Sequence, residues 1–309
     1  MKKAYIFLTC ALLFSPLSAI AANNDSCERT CLEGLMNSYL SALETNQPSQ
    51  LETTDDVRFT ENTIDIAPGD GFWRTIDQGS LHASKLYISD PSTSQVAYYG
   101  AARENGHGIL FTVRLKHRKQ RLSEVETIIV RRSPAIFGAF DDPLMPSPAW
   151  NESVPIEERA SREELIYAAN QYFNGIELGN GDIVPLYDDC IRVENGVQTA
   201  PSMNGGPNTS IRDSFNSNMF AYIEAISPRR MLVIDEERGV VFGSFMFQHP
   251  GDIFPEAFAS SKDDPTSIIV YPNTIEIMEA FKVRKNKISH IMAQMVLLPY
   301  KQPPGWPVQ

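Results

Sequence analysis

An internal repeat constrains this chain more than any other feature. Shifted by 133 residues, the sequence meets itself without a gap: Asn37 falls on Asn170, Tyr39 on Tyr172, Glu44 on Glu177, Asp55-Asp56 on Asp188-Asp189 and Glu61-Asn62 on Glu194-Asn195. A second match, at a shift of 166, lays Lys116, Arg118, Lys119 and Ser123 on Lys282, Arg284, Lys285 and Ser289. The order is kept and the spacing grows. Two tandem copies of one domain, the second about 33 residues longer, satisfy both matches, and units of this length are not solenoid repeats.

Each copy opens on an amphipathic helix. Leu32, Leu35, Met36, Tyr39, Leu40 and Leu43 recur at helical spacing, as do Leu165, Ile166, Ala169, Tyr172, Phe173 and Ile176. Ser161 with Glu164 predicts a capping box before the second helix. An acidic turn follows, then a short strand ending in Glu-Asn. Strands are expected over 85–89, 95–104, 108–117 and 121–132, and again over 230–235, 239–248, 273–284 and 287–298. Helix first and a long antiparallel sheet after it read as α+β. Pro134, Pro143, Pro146, Pro148 and Pro155 mark an irregular linker. The expected division is a first domain at 23–133, a linker at 134–158, a second domain at 159–301 with an inserted loop at 250–272, and a tail at 302–309.

Residues 1–22 read as a cleaved secretory signal: Lys2 and Lys3, a short apolar run, then the small-x-small site Ala19-Ile20-Ala21. The expected location is periplasmic or secreted. Removing two lysines takes the formal charge from −11 to −13, which argues against nucleic acid as a partner. No later apolar run reaches membrane length, so no membrane insertion is expected. Cys27 and Cys31, one helical turn apart, predict a disulfide in an oxidising compartment. Cys190 is left over, as a buried thiol or, less readily, a nucleophile.

The helix, the Asp-Asp-x-x-x-x-Glu-Asn spacing and a terminal hairpin reading Arg114-Leu115-Lys116 and Arg121-Leu122-Ser123-Glu124-Val125-Glu126 up to Arg131 resemble the nuclear transport factor two-like (SnoaL-like) superfamily. Within it, they are most similar to secreted tandem-domain members of mostly unassigned function. The resemblance implies two cone-shaped domains, each with N-terminal helices packed on a curved antiparallel sheet enclosing a pocket. It also implies sheet-to-sheet pairing, here within one chain as a pseudo-dimer, the whole being monomeric or homodimeric. Members range from isomerases, cyclases and dehydratases to non-catalytic modules, so the fold alone leaves function open.

The differences between the copies point to the second. Glu279 is the one charged residue on an apolar strand face, where the first copy has Val113. Desolvation there would raise its pKa into the range of a general acid or base; an ion pair with Arg229 or Arg230 is the alternative. His249 ends a strand beside the inserted loop, either as a proton carrier or as a hydrogen-bonded loop start. Glu194 and Asn195 either close a turn, as the recurrence of Glu61-Asn62 suggests, or reach the pocket. Tyr172 and Tyr222 offer hydroxyls, or are core aromatics. Metal-binding, phosphate-loop and serine-hydrolase spacings are lacking, so no metal and no cofactor are expected. The resulting expectation is an exported, cofactor-independent lyase, dehydratase or isomerase acting on a small apolar or aromatic ligand. In it His249 and Glu279 exchange protons, while Tyr172, Glu194, Asn195, Tyr222 and Arg229 hold the substrate. The alternative is a non-catalytic periplasmic small-molecule-binding or scaffold module.

Overall fold

The structure, a computed structural model, describes Met1 and residues 27–82, 86–144, 146–202 and 210–307. Apart from Met1, the expected signal 1–22 lies outside the described residues.

The first copy contains α1 (Arg29–Glu44), β1 (Thr53–Glu61), β2 (Ile64–Ile66), α2 (Phe72–Thr75), β3 (Tyr87–Asp90), β4 (Gln95–Glu104), β5 (His107–Arg118) and β6 (Arg121–Val130). The second repeats the series with α3 (Arg162–Leu178), β7 (Leu186–Glu194), β8 (Val197–Ala200), α4 (Ile211–Asn216), β9 (Ala225–Asp235), β10 (Val240–His249), β11 (Asn273–Arg284) and β12 (Lys287–Pro299). Both sheets have six strands in the same order, β2-β1-β6-β5-β4-β3 and β8-β7-β12-β11-β10-β9. The fold is α+β, two tandem helix-on-curved-sheet units. To the expected antiparallel sheet the structure adds one parallel pairing per unit, β1 with β6 and β7 with β12. Among the described residues no helix is long and apolar enough to cross a membrane.

The helices form where the apolar spacing placed them. α1 buries Leu32, Met36, Tyr39, Leu40 and Leu43 against the inner face of the first sheet. α3 begins in the expected capping box, Ser161 N–H donating to the Glu164 carboxylate at 2.8 Å, and ends at Gly179 in the left-handed region. Along the central strands β4, β5, β10 and β11 one set of alternate side chains faces its own helix and the other faces the opposite sheet. The outward sets form a third core shared by the two units, with Ile88, Tyr99, Leu110 and Ile128 of the first meeting Leu232, Phe242, Met278 and Met292 of the second.

Polar groups inside this shared core are bridged across it. Glu126 accepts from Arg114 of its own sheet at 2.8 Å and from Arg230 of the other. Tyr99 donates to the carbonyls of Met278 and Met292 at 3.1 and 3.0 Å. At the rim the contacts are reciprocal. Arg29 at the start of α1 holds Asp235 at the end of β9 with two bonds of 2.7 Å, and Arg162 at the start of α3 holds Asp90 at the end of β3 at 2.8 Å. The same two carboxylates accept the N–H of Ser89 and of Ile234.

The Pro-rich segment is more ordered than an irregular linker. It makes short 3-10 turns at Pro148–Asn151 and Ile156–Glu158 and buries Phe140, Trp150 and Val154. Lys282 fixes it by donating to the Glu152 and Arg238 carbonyls, both at 2.7 Å. The C-terminal residues cross back onto the first unit, where Trp306 donates to Thr60 at 2.8 Å beneath the guanidinium groups of Arg58 and Arg114.

Removing either reciprocal arginine leaves a buried carboxylate with hydrogen bonds to neutral donors but without its opposite charge. With the arginines themselves partly exposed, Arg29→Ala and Arg162→Ala should each cost about 2 kcal/mol, below the usual range for a fully buried pair. Urea unfolding midpoints would check that the two costs match. Glu276 makes a second case. Its carboxyl sits in the shared core, one oxygen bonded to Ser244 and the other without a partner among the described residues, and burial pushes it up to about 8 from 4.5, with Glu126 adding to the rise. The unfolded chain loses this proton first, so wild-type stability falls as pH rises from 4.5 towards 8. Glu276→Gln should remove that fall and gain on the order of 3 kcal/mol over wild type at neutral pH, measured by urea unfolding at about pH 5 and about pH 7.

Candidate functional site

The inner face of the second sheet carries the chemistry. On β7, alternation sends Leu186, Cys190, Arg192 and Glu194 towards α3. On β11 it sends Ile275, Ile277, Glu279, Phe281 and Val283 the same way. Glu279 pairs across to Ala293 of β12, and Ala293 pairs to Glu194 of β7. Two ladder steps put the backbones of Glu279 and Glu194 about 10 Å apart with only a methyl group between them. Both side chains project to the same face on either side of that gap.

Arg192 is the centre of the group. It lies 3.1 Å from Glu194, and it donates to the Tyr172 hydroxyl at 3.2 Å and to Thr199 at 3.0 Å. Its guanidinium stacks over Phe220, 5.6 Å from the ring centre. Glu194 also accepts from Thr199. Tyr172 projects from α3 and packs edge-on against Phe215 and Phe281 at 5.2 and 5.1 Å. Tyr222 touches Phe220 on one side and Phe258 of the inserted loop on the other. That loop forms a 3-10 turn at Glu256–Asp263, and Phe254, Phe258 and Ile268 pack on the core.

Glu279 is 2% exposed, and its Oε2 has no hydrogen-bond partner among the described residues. Burial drives its pKa well above the ordinary carboxyl value. Glu194 pushes it further up, and Arg192 opposes both. Burial likewise raises the Tyr172 and Tyr222 hydroxyls, against Arg192. The group therefore sets a carboxyl and two phenols whose protons burial helps to hold beside the Arg192 guanidinium. Cys190 sits nearby with its thiol pushed up to about 12 by burial, which makes it a poor nucleophile.

Four of the expected residues, Tyr172, Glu194, Tyr222 and Glu279, come together here; three do not. His249 occupies the end of β10, six residues beyond Gly243, the residue paired with Glu279. At strand rise that is about 20 Å, too far for direct exchange of a proton with Glu279. Its Nδ1 lies 2.7 Å from the Tyr222 carbonyl, which fixes the proton on that nitrogen, and its buried Nε2 has no partner among the described residues. Asn195 is a structural stitch. It turns β7 into β8 with a positive φ of 45°, accepts from Met295 N–H at 2.9 Å and donates to the Phe137 carbonyl at 3.0 Å. Asn62 does the same in the first copy, with φ 48° and a bond from Ile129 N–H at 2.8 Å. Arg229 is committed to α3, bonding Asn174 at 2.8 Å and Glu177 at 2.7 Å over the ring of Phe173. Neither Arg229 nor Arg230 bonds Glu279; Arg230 is spent on Glu126.

Arg192 is the residue the sequence reading passed over. At the shift of 133 it falls on Phe59, a core residue of the first unit. Replacement of a core phenylalanine by arginine on a matched strand was the signal.

Residues 158–295 match a family described as "Domain of unknown function (DUF8021)", less than half of the chain. No curated protein matches the chain. Among solved structures, it is similar to a de novo designed protein with curved β-sheet, at 12% identity over 44% of this chain and 88% of that one, TM-score 0.28. BvnE pinacolase from Penicillium brevicompactum is similar at 12% identity over 43% and 86%, TM-score 0.28. An NTF2-like protein from Cytophaga hutchinsonii is similar at 13% identity over 44% and 99%, TM-score 0.27.

Proposed function

We propose that the second unit binds a small, largely apolar or aromatic molecule against its ring-lined inner face and that Glu279 moves a proton on it. The reaction class is that of a lyase, dehydratase or isomerase working without a resident cofactor. One observation carries this reading: a fully buried carboxyl with an unpartnered oxygen, set across Ala293 from the Arg192–Glu194–Tyr172 group. A protonated carboxyl donates to a carbonyl or leaving hydroxyl oxygen, and its conjugate base takes a proton back from carbon. Arg192 and the Tyr172 hydroxyl supply the fixed positive charge and dipole that favour negative charge developing on a substrate oxygen. Phe258 over Tyr222 is placed to exclude water once a ligand is seated. His249, at the far end of the strand, has no part in this step.

The chain would act after export, in the periplasm or outside the cell, with its signal removed and the Cys27–Cys31 bridge formed. The shared core makes it a pseudo-dimer within one chain. A second reading, a non-catalytic binding or scaffold module, draws on the dense ring packing under α3, where Phe173 meets Phe245 at 4.3 Å and Phe281 at 5.6 Å.

The two readings separate on Glu279→Gln. The screen is a thermal-shift panel of phenolic, steroid, terpenoid and hydroxy-carbonyl compounds, in which a ligand at 100 times its Kd adds about 2.7 kcal/mol. With a hit in hand, E279Q should bind within about tenfold of wild type and lose turnover by roughly a hundredfold or more. Unchanged turnover in E279Q would overturn the assignment of Glu279. Product from no compound in the panel would favour the binding module.

Stability gives an independent check on the buried acid. The folded state holds the Glu279 proton to a higher pH than the unfolded chain does. Wild-type stability therefore falls as pH rises above the ordinary carboxyl value of 4.5, and full stability is present only below it. E279Q should match wild type in acid and exceed it by a growing margin as pH rises. A margin independent of pH would show that the carboxyl ionises freely.

A further inference from the structure

We propose that Cys27, Cys31 and His117 form a site for one thiophilic divalent cation, of the zinc class, when the Cys27–Cys31 disulfide is reduced. The site lies in the first unit and stands independently of the reading of Glu279.

Cys27 precedes α1 and Cys31 sits in its first turn, their Cα atoms 5.3 Å apart. His117 arrives from the other direction, on β5, just past a bulge between Lys116 and His117 in the pairing with β6. Bulges re-aim side chains, and this one falls at the residue under the start of α1. The two sulfurs and one imidazole nitrogen all lie within 4.8 Å of one another. In the bridged form the two sulfurs are bonded to each other; on reduction they part to about 3.8 Å, the separation that two thiolates about 2.3 Å from a tetrahedral zinc ion take, with the His117 nitrogen already within reach. Two thiolates and an imidazole are a donor set that zinc prefers over hard-cation competitors.

The surroundings suit the ion. Cys27 and His117 are buried while Cys31 is exposed, so the fourth position opens to water. The neighbouring cations are already paired, Lys116 with Glu124 at 3.4 Å and Arg118 with Asp56. The N-terminal end of the 16-residue α1 favours the thiolate at Cys31. The chemistry balances. Two molecules of a small thiol leave as their own disulfide and pass two electrons and two protons to the protein sulfurs. The cation then displaces one proton from each cysteine. Either the covalent bridge or the ion ties the chain before α1 onto the first core, so the site exchanges one tether for another as redox conditions change.

The test is cobalt titration of the full chain carrying Cys10→Ser and Cys190→Ser, reduced and kept free of oxygen. One Co²⁺ per chain is expected, with intense sulfur-to-cobalt charge-transfer absorption and the visible bands of a tetrahedral ion. The oxidised protein should give neither. Cys27→Ser and Cys31→Ser should abolish the charge-transfer band, His117→Ala should weaken binding at least tenfold, and His117→Cys should restore it with stronger charge-transfer absorption. Should the variants fail to fold, the zinc-loaded protein with Cys27 and Cys31 intact serves: a thiol-specific oxidant should release one zinc for every two thiols lost. Binding equal in the oxidised protein, undiminished affinity in His117→Ala, or zinc retained after the thiols are gone would each overturn the proposal.

Discussion

Asp90 and Asp235 hold the two halves of this molecule in place. Each ends the third strand of its sheet, each is buried, and each is claimed by the arginine that opens the other half's helix. A buried carboxylate is tolerated only when paired and hydrogen-bonded. Ser92 and the Arg238 N–H add bonds from the carboxylates' own units, but the guanidinium comes from the opposite one. The contact is reciprocal, with Arg29 answering Asp235 as Arg162 answers Asp90. The shared apolar core follows from it. With Ile88, Leu110, Phe242 and Met278 facing outward, neither sheet could stand alone without exposing a broad apolar face.

Two identical copies related in this way would have to keep identical interiors. Two copies on one chain do not, and this chain uses the freedom. The first interior keeps Phe59 and Val113 where the second has Arg192 and Glu279. Glu279 lies on β11, whose outward face still gives Met278 and Ala280 to the common core, so its charge enters the second cone without changing that face. The buried acid destabilises its own unit at neutral pH, and that cost is carried by a fold whose other half remains an apolar anchor.

Much of this was legible in residue order. The repeat placed the helices at a shift of 133 and the terminal hairpins at a shift of 166, because period-3.6 and period-2 patterns are local properties that survive divergence. Arg29 and Arg162 obey the same shift, so the rim contacts were also written there, although their acidic partners could be found only once the sheets were paired. Glu279 stood out because one apolar face carried one charge. The joining of His249 to Glu279 failed for a different reason: alternation reports which face a side chain takes, not how far along a strand it sits, and six residues of strand separate two groups on the same face. The ordered course of the Pro-rich segment was likewise invisible, since what orders it is the distant amine of Lys282.

The recurring Glu-Asn pair shows how one motif divides its labour. In both copies the asparagine takes the left-handed turn position and ties it to the last strand, a task set by the backbone and so repeated. The preceding glutamate is free of that duty. In the first unit Glu61 receives the Phe72 N–H at 2.7 Å and Arg131 at 3.0 Å, contacts that close the wall of the cone. In the second, Glu194 turns to Arg192 and Thr199 instead. It thereby fixes the guanidinium and, on top of burial, pushes the Glu279 carboxyl further up. Because the asparagine holds the turn, the glutamate could change partners without cost to the hairpin. The route from a structural residue to a member of the charged group thus runs through the one position of the motif that the backbone does not need.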